Sequence, residues 1–105
     1  MTILVTDAGF APAAPEVFVP LADLASHSGA LDLANTDDPA ALQDHLGNIG
    51  LIRIAFLAFN DGRGFTLARR LRVMGYTGRL RAHGHVIADQ YTMARRSGFD
   101  EVEIS

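Results

Sequence analysis

The chain has 105 residues with no cysteine, tryptophan or lysine, and its nine arginines stand against 12 carboxylates for a formal net charge of −3. That length suits one domain, an apolar content of 49% excludes a disordered chain, and the absence of cysteine excludes disulfides, thiolate nucleophiles and thiolate-ligated metals. The charge is unevenly placed: residues 1–52 carry seven acids and no arginine, whereas residues 53–105 carry nine arginines and five acids.

In chain order, Met1-Thr2-Ile3-Leu4-Val5 lacks a basic flank and is followed by Asp7, so it reads as a strand and not as a signal peptide. No apolar run nears the roughly 20 residues of a membrane helix, so no membrane partner is expected and the protein reads as cytoplasmic. Val17-Phe18-Val19 forms a second short strand after a loop rich in alanine and proline, and residues 1–30 are the less regular part. Leu31-Asp32-Leu33-Ala34 is a third strand. Asp38 then caps a helix with Pro39 at its first position, running to about Leu46 and closed by Gly47-Asn48. Leu51 to Leu57 shows little alternation, as a strand covered on both faces does. The turn Asn60-Asp61-Gly62-Arg63-Gly64 leads into a helix from about Phe65 to Met74. Its inner side is Leu67, Ala68, Leu71 and Met74, its other faces hold Arg69, Arg70 and Arg72, and Gly75 ends it. Arg79 to His83 is a strand and Val86 to Ser97 a helix stopped by Gly98. Glu101-Val102-Glu103-Ile104 alternates as a last strand with one exposed face at a sheet edge, and such an edge invites a homodimer.

From residue 31 onward strands alternate with helices, which implies parallel strands and right-handed crossovers. The expected fold is a single α/β domain over residues 1–105 with a mainly parallel sheet of β-α-β units, either open or half-barrel-like. Loops that follow the strands then converge at the carboxyl edge, where such folds bind ligands. This gives a candidate ligand-binding set of Asp61, Gly62, Arg63, Gly64, Arg81, His83, His85, Asp89 and Gln90, with Asp37 and Asp38 on the same edge.

Gly62 and Gly64 permit close approach of backbone amides to an anion, and Arg63 adds a two-pronged donor. The competing reading is a capped turn with Arg63 paired to an acid. His83 and His85, two apart on an extended segment, point the same way and suit proton transfer. A metal needs further ligands, so none is assigned. Asp89 and Gln90 open a helix whose field favours a carboxylate, either as an acid–base group or as a structural partner of Arg63 or Arg81. The arginine clusters lack aromatic interleaving and an overall basic field, so no nucleic acid is expected.

Several segments together resemble a bacterial family. They are Leu31-Asp32-Leu33-Ala34-Asn35, Asp37-Asp38-Pro39, Phe59-Asn60-Asp61-Gly62-Arg63-Gly64-Phe65, Gly75-Tyr76-Thr77-Gly78, Leu80-Arg81-Ala82, Asp89-Gln90 and Arg96-Ser97-Gly98-Phe99-Asp100. The family is domain-of-unknown-function family 934, whose members are labelled as probable oxidoreductases involved in sulfite reduction. The resemblance covers about residues 31–104 and implies work beside sulfate-assimilation proteins. This chain departs from the family pattern at Arg79 and His85, where acids are usual, at Ala88, where a base is usual, and at Ser97, where cysteine is frequent. No flavin, haem, iron–sulfur or nicotinamide signature is visible, so no cofactor is assigned and an accessory or anion-binding role is expected. The alternative is an interaction module whose arginine faces dock an acidic partner or a second copy.

Overall fold

The computed structural model describes residues 3–12, 16–26, 29–34, 36–56, 62–84 and 91–104. Seven strands form one sheet: β1 (Ile3–Thr6), β2 (Gly9–Pro12), β3 (Val19–Pro20), β4 (Ala30–Leu33), β5 (Leu51–Phe56), β6 (Arg79–Gly84) and β7 (Glu101–Ile104), in the order β2-β1-β7-β6-β5-β4-β3. From β3 to β7 neighbours in sequence are neighbours in space and run parallel, which bears out the parallel strands expected from residue 31. The sheet is nevertheless mixed, because β1 joins β7 antiparallel and β2 extends it as a hairpin. The strand expected at 17–19 is displaced to Val19–Pro20.

Strand side chains alternate between two faces, and the register makes those faces chemically opposite. One row runs Leu33, Ile54, Ala82, Val102, Val5 and, with Leu31, Ile52 and Leu80, forms the core face. Two helices cover it: α1 (Arg63–Val73), through Leu67, Ala68 and Leu71, and α2 (Tyr91–Ser97), through Ala94. Phe56, Phe65 and Phe99 meet there with ring centroids 4.9–6.4 Å apart.

Both helices end in the same device. Gly75 and Gly98 take positive φ, and the next amides, of Tyr76 and Phe99, reach back to the carbonyls of Leu71 and Ala94. Arg72, expected on a helix exterior, instead sews the two ends together. It donates to the carbonyls of Tyr76, Gly78 and Gly98 and to the Asp100 carboxylate.

Two expectations need correction. The helix expected from Pro39 to Leu46 is a pair of 3₁₀ turns, Pro39–Leu42 and Leu46–Asn48. Asp38 caps the first as read, its Oδ1 accepting the Ala40 amide at 3.0 Å with Pro39 following. Pro39 and Leu42, three residues apart, are both buried on one side of the first turn. The second concerns β7, which is not an edge: it lies between β6 and β1, with Glu101 and Glu103 buried. The edges are β2 and β3. Of the helix expected over 86–97, the described part begins at Tyr91.

The face opposite the helices is polar yet largely closed. Asp32, Arg53, Arg81 and Glu101 are register partners across four strands. They extend into an alternating ladder in which each arginine bridges two carboxylates. Arg53 grips Asp32 through Nε and Nη2 at 2.6 and 2.7 Å and reaches Glu103 at 3.1 Å. Arg81 joins Glu103 at 3.0 Å to Glu101 at 2.5 Å, and Arg79 joins Glu101 at 3.0 Å to Glu16 at 3.8 Å. The rigid, planar guanidinium fork suits such two-sided contacts, which gives Arg53, Arg79 and Arg81 a structural use. Residues 16–18 lie across this ladder, with the Phe18 ring 3.8 Å from the Arg53 guanidinium carbon and 5.7 Å from that of Arg81.

Candidate functional site

Residues 16–18 cover the ladder, and the next row toward the carboxyl edge shapes an opening. Ala55, His83 and Glu103 are partners there, and Ala34 follows β4. The two alanines leave space where larger side chains would fill the sheet surface. The result is a pocket of about 450 Å³ lined by Ala34, Ala55, Leu33 and His83, by Asp32 and Asp37, and by Pro20, Leu21 and Ala22 as its outer wall.

His83 is the imidazole of this histidine pocket, beside the carboxylates of Asp32 and Asp37. Burial, and then the positive charge of Arg53, hold its imidazole below the ordinary value of 6.5, so it stands neutral at neutral pH with one nitrogen to donate and one to accept. A histidine that resists protonation when folded contributes stability above the unfolded value, and that contribution is lost as the pH falls from about 6.5 toward the lower folded value. The expected result is that His83→Gln flattens the decline in urea stability between about pH 7.5 and 5 relative to wild type. Parallel curves for the two proteins would show that His83 titrates normally.

A second depression of about 450 Å³ adjoins the first, since Asp37 lines both. Its walls are Thr36, Asp37, Asp38, Arg63, Thr66, Leu67 and Arg70. It sits over the first turn of α1, whose N-cap Gly62 supplies no side-chain acceptor. The early amides of that helix and the two guanidinium groups favour an anion. The acids are partly occupied: Asp37 Oδ2 accepts the Ala34 amide at 2.8 Å, and Asp38 Oδ1 accepts the Ala40 amide and Arg70 Nη2 at 3.0 and 3.3 Å. Arg70 and Asp38 are both more than half exposed, so their pair is weak and exchangeable.

The residues proposed from sequence therefore divide. His83 lines the histidine pocket and Arg63 the arginine cleft, both at the carboxyl end of the sheet. Gly62 is the N-cap of α1. Gly64 is a packing glycine, because a Cβ there would come within 2.5 Å of the Phe56 ring. Arg81 lies inside β6, not on a loop, with its guanidinium held in the ladder. Asp61, His85, Asp89 and Gln90 lie outside the described residues. Sequence reasoning did not single out Thr66, Arg70, Arg53, Asp32, Glu101 or Glu103 for the site or its supporting ladder. The available signal was a charge placed between aliphatics in each of four strands. Among the described residues no three histidine, aspartate or glutamate side chains come together as a metal site.

Comparison with known proteins gives one match. The family model described as bacterial protein of unknown function (DUF934) matches residues 30–105. No curated protein matches the chain, and no solved structure matches it.

Proposed function

The chain belongs to the DUF934 family of bacterial proteins of unknown function, and from that premise we propose that it binds a small oxyanion at the carboxyl edge of its sheet, as an accessory in the reduction of sulfur oxyanions. The observation that carries the binding claim is the arginine cleft, which gathers Arg63, Arg70 and Thr66 over the first turn of α1. The choice of a sulfur oxyanion follows from the sulfite-reduction label of the family that the sequence resembles. An accessory role is favoured over a reductase role because the chain lacks cysteine and carries no cofactor signature.

Two substitutions test the cleft in opposite directions. Thermal-shift titration with sulfite, sulfate and phosphate is expected to stabilise wild type, and Arg63→Ala to weaken that response about tenfold in ligand concentration, the scale of one charge-assisted contact. Asp38→Asn keeps an N-cap of similar quality while removing the carboxylate that competes for Arg70, so it is expected to strengthen anion binding several-fold. A wild-type protein that no oxyanion stabilises, or an Asp38→Asn protein that binds no better, overturns the reading.

A further inference from the structure

The outward side of α1 spaces Thr66, Arg69, Arg70 and Val73 three and four residues apart, which places them on one helix face. With Met74, and with Ala40 and Gln43 across from them, they line a groove of about 380 Å³ between α1 and the Pro39–Leu42 turn. Two features of this groove do not belong to an ordinary solvated face. Val73 is 88% exposed, the most exposed of the large apolar side chains described, beside the half-buried Met74. No carboxylate lines the groove, and Arg69 makes no ion pair among the described residues. Among the described residues the Arg70 guanidinium pairs with Asp38 alone, through an exchangeable contact.

We propose that this groove docks an acidic segment of a partner protein. An aliphatic or aromatic side chain of the partner seats against Val73, Met74 and Ala40, and carboxylates on either side of it meet Arg69 and Arg70. The apolar floor favours a peptide over a free phosphate or a nucleic-acid backbone, which offers the charge without the anchor. The local positive charge is the complement of such a segment although the whole chain carries −3. The groove shares Thr66 and Arg70 with the arginine cleft, but Arg69 and Val73 line the groove and not the cleft, and Arg63 lines the cleft and not the groove, so substitutions separate this inference from the oxyanion reading.

Panning a displayed random dodecapeptide library against the wild-type protein tests it, followed by fluorescence polarisation of the enriched peptides. The expected consensus has at least two carboxylates flanking a large apolar residue. Its affinity is expected to fall at least about tenfold in Val73→Asp and in Arg69→Glu and to stay unchanged in Arg96→Ala, an exposed α2 position outside the groove, with salt weakening it throughout. Both altered side chains are exposed, so the variants should fold, and far-ultraviolet circular dichroism checks that they do. Failure to enrich peptides, a neutral or basic consensus, or binding indifferent to both groove substitutions overturns the proposal. Self-association of the wild type that Val73→Asp abolishes also overturns it, in favour of a second copy in the groove.

Discussion

Arg81→Ala is expected to lower the unfolding free energy by about 3–5 kcal/mol, the usual cost of removing one partner from a buried ion pair. Arg81 is 1% exposed and stands between Glu101 and Glu103, themselves buried. Its removal leaves two carboxylates facing each other beneath Phe18, each retaining one arginine, Arg79 and Arg53 respectively. Urea denaturation against Arg96→Ala, an exposed α2 position where a change within about 0.5 kcal/mol is expected, measures the difference. Arg81→Lys should recover only part of the loss, because an ammonium group lacks the fork that spans both acids. A loss below about 1 kcal/mol in Arg81→Ala would mean that water enters the ladder and solvates the acids.

Gly84→Val is expected to cost about 2–4 kcal/mol, combining backbone strain with overpacking. Gly84 closes β6 at φ +102°, and a Cβ there would press on the backbone carbonyl oxygen of Phe56, which has no rotamer through which to retreat. Gly75 separates the two contributions. It has nearly the same φ of +104° but open space around it, so Gly75→Ala should cost only about 1–2 kcal/mol from strain alone. Equal losses at the two positions would show that the approach of β5 to β6 adds nothing.

The parts legible in sequence were those governed by local rules. The glycine stops at 75 and 98 and the inner residues Leu67, Ala68 and Leu71 follow from helix periodicity and capping, and the structure has them where expected. The alternation of residues 101–104 was also real, but its meaning was not local. Glutamates two apart look the same whether they face water or a row of arginines on the next strand. Only the pairing of Arg81 with Glu101 and of His83 with Glu103 distinguishes the two cases. The histidine pocket was hidden for the same reason, since Ala34 and Ala55 become a gap only when placed side by side. The 3₁₀ turns escaped because Asp38 and Pro39 signal where a helical turn starts and not how tightly it winds or how far it runs. The uneven charge acquires a simpler meaning than a basic field. Asp7, Glu16, Asp32 and Asp38 of the acidic half pair with Arg95, Arg79, Arg53 and Arg70 of the basic half.

The pairing of β1 with β7 constrains the order in which the chain can assemble. Residues 3–5 find their partners at 102–104, so the entropy of closing almost the whole length must be met before that contact contributes anything. The parallel run from β4 to β7 asks for no such closure, since each strand needs only its predecessor. Folding by the shortest available loops therefore builds β4 to β7 first and adds the β1–β2 hairpin last, after β7 offers its free side. Until that step β7 really is an edge, with the side that will meet β1 still unpaired.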